Sequence, residues 1–213
     1  HKGARSLFFT LEQPRDEILK KLIAQESLVS YKGLDIGQLT ELEKQRVWQH
    51  IDNIYKMKLG ILDGRWSVPE IRRRAIQEKR DKGLDCLLVD FLTKLQPVKK
   101  YEKPTYEVND NAKQLEDLGI ELRVPVITMA QLNRDLEKRN NKRPVLSDIR
   151  EAGEEYASKV IFIYRDEYYY PGTKDKGIAE IIAAKNRRGP IGTIELSWIA
   201  HATAFADLGR GEN

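Results

Sequence analysis

The chain has 213 residues, enough for one large domain, and 40% of them are hydrophobic, enough for a sizeable core. A formal charge of +4 permits an anionic partner without demanding one. The single cysteine excludes an internal disulfide framework, no apolar run approaches the roughly 20 residues that cross a bilayer, and the three histidines are too scattered for a metal site.

Short apolar runs alternate with longer amphipathic segments, which predicts an α/β fold with a mostly parallel twisted sheet flanked by helices. The first run, Ser6–Leu11, leads into a helix that begins near Pro14. Thr40-Glu41-Leu42-Glu43 matches a capping box, and the run Leu59–Leu62 follows. Ser67-Val68-Pro69-Glu70 is a second capping box; it opens a helix to about Lys82 that Gly83 is placed to end. Cys86–Leu92 reads as a strand with Cys86 as a small buried core residue. Gln96–Thr105, rich in Lys and Pro, reads as mobile. A helix is predicted over Val108–Leu122, with Ala112, Leu115, Leu118 and Leu122 on its apolar side, and a strand over Val124–Met129. Asn133–Pro144 is strongly charged, crowding Lys138, Arg139, Lys142 and Arg143, and also reads as mobile. The last runs are Val160–Tyr164, Ala179–Ala184 and Thr193–Ile199. The final two flank the turn Asn186–Gly192 and should pair as an antiparallel hairpin.

Several polar residues sit where chemistry can happen. Asp90 ends the run Cys86-Leu87-Leu88-Val89-Asp90, at the strand tip where α/β sheets bind ligands. There a carboxylate can support a Mg²⁺ ion on nucleotide phosphates, although many strands end in an aspartate that only opens the next turn. Glu12 ends the first run and could polarise a water for attack on a phosphate, or simply complement the dipole of the following helix. Gln131, just past Val124–Met129, can hydrogen-bond a terminal phosphate or merely open a loop. Three polar residues at three strand ends could converge on one crevice. Arg150-Glu151-Ala152-Gly153 could grip a phosphate backbone without reading bases, or be a solvated loop. Lys185 and Arg187 alternate at a strand end and so point the same way, either as a charge-neutralising finger or as a solubilising hairpin tip. Tyr168-Tyr169-Tyr170 offers stacking faces for bases, with surface packing the commoner use.

In chain order, Leu7-Phe8-Phe9-Thr10-Leu11-Glu12, Leu88-Val89-Asp90-Phe91-Leu92, the stretch Val124 to Arg134, Lys142 to Gly153, Tyr164 to Tyr168 and Lys185 to Gly192 resemble the C-terminal motor domain of DnaB-type replicative DNA helicases. The stretch through Gln131, Arg143, Ser147, Asp148, Arg150 and Glu151 is the most specific part. The resemblance implies a RecA-like P-loop NTPase fold and an ATP- and Mg²⁺-dependent motor that moves 5′-to-3′ on single-stranded DNA and unwinds duplex during replication. It implies a homo-oligomeric ring, normally a hexamer, with primase and a helicase loader as partners, in the cytoplasm and away from membranes. By the same resemblance, Glu12 activates water, Asp90 holds Mg²⁺ through water, and Gln131 senses the γ-phosphate. Arg150, Glu151 and Gly153 belong to the DNA-contacting loop, and Lys185 and Arg187 reach into the neighbouring subunit's ATP site.

The chain departs from the family pattern in three places. No Gly-x-x-x-x-Gly-Lys-Ser/Thr occurs in the 213 residues. In the family this phosphate-binding loop precedes the strand with Phe8 and Phe9, so the chain is expected to begin just downstream of it and to lack the helicase N-terminal domain. A sheet without the P-loop strand should show unpaired apolar edges and be unstable on its own. Glu154–Lys159 is shorter than the matching family segment, and Arg188 stands where a smaller polar residue is usual, which points to a divergent member, of phage or mobile-element type. Two other readings compete. One is a non-catalytic module that binds single-stranded DNA or a helicase. The other is a recombinase-type RecA-like ATPase, against which the Ser147–Gly153 run and the Lys185/Arg187 spacing argue.

Overall fold

The computed structural model describes residues 3–149 and 153–209. Its strands and helices, in chain order, are β1 (Ser6–Thr10), α1 (Arg15–Ser27), α2 (Tyr31–Asp35), α3 (Glu41–Lys56), β2 (Leu59–Asp63), α4 (Val68–Lys82), β3 (Cys86–Asp90), α5 (Pro104–Leu122), β4 (Val126–Thr128), β5 (Lys159–Tyr164), α6 (Asp166–Tyr169), β6 (Ile178–Asn186), β7 (Gly192–Ile199) and β8 (Ala204–Asp207). The strands form a sheet of order β2-β1-β3-β4 and a second of order β5-β6-β7-β8. These fall in two compact units. One comprises the described residues of His1–Ile18, Tyr55–Asn133 and Ser147–Ala157, the other those of Leu19–Ile54, Arg134–Leu146 and Ser158–Asn213.

The first unit holds the parallel sheet. Its strands run in register, with Phe9 opposite Leu62 and Val89, and Thr10 opposite Asp63 and Asp90. Period-two alternation sends Leu7, Phe9, Leu87 and Val89 to one face, where all four are buried. On that face they pack in one cluster with Val68, Ile71 and Ala75 of α4 and with Val108, Leu115, Leu118 and Leu122 of α5. Fully burying each large apolar side chain contributes about 1.5–3 kcal/mol, so this layer is the main stabiliser of the unit. On the opposite face Phe8, Ile61 and Leu88 are half-buried and Ile127 of the edge strand β4 is 49% exposed.

Local sequence explains the helix ends. The Thr40 hydroxyl accepts from the Glu43 N–H (3.2 Å) while the Glu43 carboxylate accepts from the Thr40 N–H (2.9 Å), which satisfies two orphan donors of α3. Glu70 accepts from the N–H and hydroxyl of Ser67 at 2.8 and 2.6 Å, and α4 ends at Gly83, whose φ of +84° suits glycine. The helix predicted from Val108 starts earlier, at Pro104, because a proline in the first turn needs no N–H partner.

Four expectations change. Gln96–Thr105 is tied down rather than loose: the Gln96 N–H donates to the Trp66 carbonyl (2.8 Å) and the Tyr101 hydroxyl to Asp110 (2.5 Å). In Asn133–Pro144, Arg143 pairs with Glu180, Lys138 with Asp135, and Lys142 donates to the carbonyls of Glu137 and Arg139, so the crowded cations are held internally. The run from Cys86 stops as a strand at Asp90, and Leu92–Lys94 is a 3-10 turn. Cys86 lies on the less covered face and is half-buried rather than buried, with its thiol pKa pushed up by that burial.

The second unit holds the antiparallel sheet. The hairpin forms as expected, with Ile181 opposite Ile194. The antiparallel region is larger than the hairpin, because β5 pairs with β6 and β8 pairs with β7. Along β5, Phe162 and Tyr164 are buried whereas Ile161 and Ile163 are 58% and 57% exposed.

Candidate functional site

Parallel strands put all their C-terminal ends at one edge, and loops leaving that edge are where open α/β sheets bind ligands. Thr10 and Asp90 are register partners, so Glu12 lies two residues beyond the end of β1 beside the end of β3. Val89 pairs with Thr128, so Gln131 lies three residues beyond the end of β4 at the same edge. The structure therefore brings Glu12, Asp90 and Gln131 to neighbouring strand ends in the order β1, β3, β4. Asp90 is half-buried; Glu12 and Gln131 are exposed.

Backbone hydrogen bonds lock these exits together. The Leu11 N–H donates to the Asp90 carbonyl (2.7 Å), and the Leu92 N–H donates to the Met129 carbonyl (3.0 Å). The Asp90–Phe91 peptide is cis. The Thr10 hydroxyl, fully buried, donates to the Gln13 carbonyl (2.8 Å) and accepts from the Gln13 N–H (3.2 Å), closing the turn that carries Glu12.

Sequence reasoning missed Thr10, Gln13 and Asp63. Asp63 ends β2 as Asp90 ends β3, and the same apolar-run-then-aspartate pattern could have flagged it. Its carboxylate accepts from the Arg15 N–H at 3.0 Å, at the start of α1, and that bond holds its pKa below the usual range. No comparable pattern marks Thr10, whose part depends on where its buried hydroxyl points.

The donor set fits a hard divalent cation. Mg²⁺ favours oxygen ligands and is commonly held by one or two carboxylates together with waters and substrate phosphates. Asp90, with Glu12 beside it, supplies that chemistry. Among the described residues no group of three or more His, Cys, Asp and Glu forms a closed metal cage.

The residues just after Gln131 pair with those just before the predicted DNA loop. Leu132 bridges to Ile149, and the Asn133 N–H donates to the Asp148 carbonyl (2.7 Å). Arg150 and Glu151 lie outside the described residues. Gly153 is buried with φ +99°, and a Cβ built on it would lie 3.4 Å from Leu92 and 3.5 Å from Ala112.

Lys185 and Arg187 belong to the second unit. Lys185 pairs with Val160 near the end of β6, beside a bulge in β5, and the Arg187 N–H donates to the Ser158 carbonyl (2.9 Å). Lys185 is half-buried and Arg187 exposed. The hairpin tip is closed by Asn186, whose side chain donates to the Pro190 carbonyl (3.1 Å) and accepts from the Arg188 N–H (3.3 Å). The three tyrosines make local contacts, although Tyr168 stays 68% exposed. Tyr169 stacks on Tyr164 at 5.7 Å, Tyr168 meets Tyr169 edge-on at 4.9 Å, and Tyr170 donates to the Asn140 carbonyl.

A parallel sheet with polar residues beyond adjacent strand ends, followed in the chain by an antiparallel sheet with a Lys-x-Arg tip, defines a RecA-like ATPase domain of the helicase type. Residues 1–207 match the model of the DnaB-like helicase C terminal domain, and the chain belongs to that family. It is 39% identical over 204 residues to the replicative DNA helicase DnaB of Buchnera aphidicola subsp. Schizaphis graminum, covering 93% of this chain and 44% of that protein. It is 38% identical to the DnaB of Haemophilus influenzae (95% of this chain, 44% of that protein) and 34% identical to the replicative DNA helicase DnaC of Bacillus subtilis (95% and 45%). The chain thus spans under half the length of these curated relatives. Among solved structures, a DnaB-like replicative helicase described with its interactions with primase superposes with a TM-score of 0.93 at 31% identity (97% of this chain, 51% of that one). A second solved structure, described as an ATPase domain, gives 0.92 at 31% identity (97% and 75%).

Proposed function

We propose that this chain is part of an ATP-driven replicative helicase motor that forms a ring, moves 5′-to-3′ along single-stranded DNA and unwinds duplex. The supporting observation is the common edge shared by Glu12, Asp90 and Gln131 in a chain of the DnaB-like family. Glu12 accepts a proton from the attacking water, and its exposure leaves room for that water. Asp90 supports Mg²⁺, which when bound would neutralise developing phosphate charge. Gln131 hydrogen-bonds the terminal phosphate. Its loss is passed through the Leu132–Ile149 bridge to Arg150, Glu151 and Gly153, which hold the single-stranded backbone. Lys185 and Arg187 supply positive charge to a neighbouring subunit's site, so each site needs two protomers and a closed homo-oligomer, a hexamer in our reading. Primase and a loader are the further partners proposed, in the cytoplasm.

The test uses the protein as its gene encodes it. Glu12→Gln should abolish ATP turnover while nucleotide affinity stays within about twofold of wild type. Retained turnover removes Glu12 from the catalytic role. A second reading is a non-catalytic module that binds single-stranded DNA or a helicase ring. Absence of Mg²⁺-dependent ATP binding by the gene product would select it.

A further inference from the structure

Glu12 sits in a turn pinned at both ends. On one side the Leu11 N–H is bound to the Asp90 carbonyl at 2.7 Å. On the other the Thr10 hydroxyl both donates to and accepts from the backbone of Gln13. Thr10 itself is fully buried, although its hydroxyl is polar, and it stands in register with Asp63 and Asp90 on the two neighbouring strands. A buried hydroxyl that satisfied only itself could be replaced by a methyl at little cost. This one instead spans the turn, using one donor and one acceptor on a single residue three positions on.

We propose that Thr10 is a positioning residue for Glu12, with its hydroxyl holding the Thr10–Gln13 turn so that the Glu12 carboxylate stands at a fixed height above the Asp90 strand end. Two consequences follow from this arrangement. Glu12 and Asp90 move as one unit, since the same three-residue step carries both anchors. Loss of the hydroxyl leaves the Gln13 N–H and carbonyl to find other partners, and the turn relaxes while the strand below it keeps its packing. A displacement of about 1 Å at a catalytic group costs on the order of 100-fold in rate, so a loosened turn lowers the chemical step more than it lowers binding. The inference rests on the catalytic reading of Glu12 given above.

The experiment is steady-state ATP hydrolysis by the full gene product carrying Thr10→Val or Thr10→Ser, with Glu12→Gln as reference. Thr10→Val keeps shape and removes the hydroxyl; Thr10→Ser keeps the hydroxyl and removes a methyl. The expected result is a kcat lowered about 10-fold or more by Thr10→Val with KM little changed, and restored to within about threefold of wild type by Thr10→Ser. Wild-type kcat in Thr10→Val overturns the inference. So does an equally slow Thr10→Ser, because a retained hydroxyl then fails to restore turnover and is not by itself what positions Glu12. Full turnover in Glu12→Gln is a different failure: it removes the catalytic reading, and the positioning role falls with it.

Discussion

The Tyr101 hydroxyl donates to the Asp110 carboxylate at 2.5 Å, and the Lys99 ammonium approaches the same carboxylate at 3.4 Å. One carboxylate near the start of α5 thereby gathers the Lys- and Pro-rich segment that leads into the helix. Gln114 adds a third contact at 3.1 Å from one turn further along. The segment between β3 and α5 is held onto the first unit by these contacts.

The clamp makes stability depend on pH at both ends of the scale. The Tyr101 hydrogen bond, with Lys99 assisting, holds the Asp110 pKa below its ordinary value. A depressed acid stabilises the fold above its unfolded pKa of about 3.9, and that contribution is lost as pH falls through the folded value. Burial first, then the Asp110 hydrogen bond, pushes the Tyr101 phenol up to about 12. A raised phenol stabilises the fold fully below its unfolded pKa of about 10, and that contribution is lost as pH rises toward the folded value. Urea midpoints measured from acid to alkaline pH should therefore show the largest difference between wild type and Tyr101→Phe on the plateau between these limits. A difference that stays constant across the whole range contradicts the clamp.

Gly153 adopts φ +99°, a conformation that a side chain strains, while a Cβ there would meet Leu92, Ala112 and Val108 at ordinary contact distances of 3.4–3.7 Å. The cost of Gly153→Ala is thus conformational, about 1–3 kcal/mol. Gly172 has open space around it and no positive φ, so Gly172→Ala should stay within about 0.5 kcal/mol of wild type. Denaturant unfolding of the two variants checks this. Single-stranded DNA binding should fall in Gly153→Ala alone if that turn presents the preceding loop.

Much of this architecture was legible in residues whose physics is local. The capping boxes at Thr40 and Ser67 announced α3 and α4, and the short apolar run Ser6–Leu11 announced a strand, though not which of its faces would be buried. What stayed hidden depends on pairing across the chain. β8 is four residues long and follows Thr203, which turns the backbone with φ +49° and gives no glycine or proline to mark it. The apolar Phe91 and Leu92 prolong the run from Cys86, yet the strand ends at Asp90 and the Leu92 N–H bonds to the Met129 carbonyl just past the end of β4. The segment Gln96–Thr105 looks solvated in one dimension and is tied down in three, by Tyr101 and Lys99 on Asp110 and by the Gln96 N–H on the Trp66 carbonyl. At the site, strand-end carboxylates were readable, whereas the turn closed by Thr10 required knowing where the buried hydroxyl points.

The most direct test is a structure of the gene product with a non-hydrolysable ATP analogue and Mg²⁺. The account predicts the terminal phosphate beyond the ends of β1, β3 and β4, with Asp90 joined to the ion directly or through one water. It also predicts Glu12 on the water facing the phosphorus and Gln131 within hydrogen-bond reach of a phosphate oxygen. A nucleotide bound elsewhere on the chain, with these three side chains away from its phosphates, contradicts it.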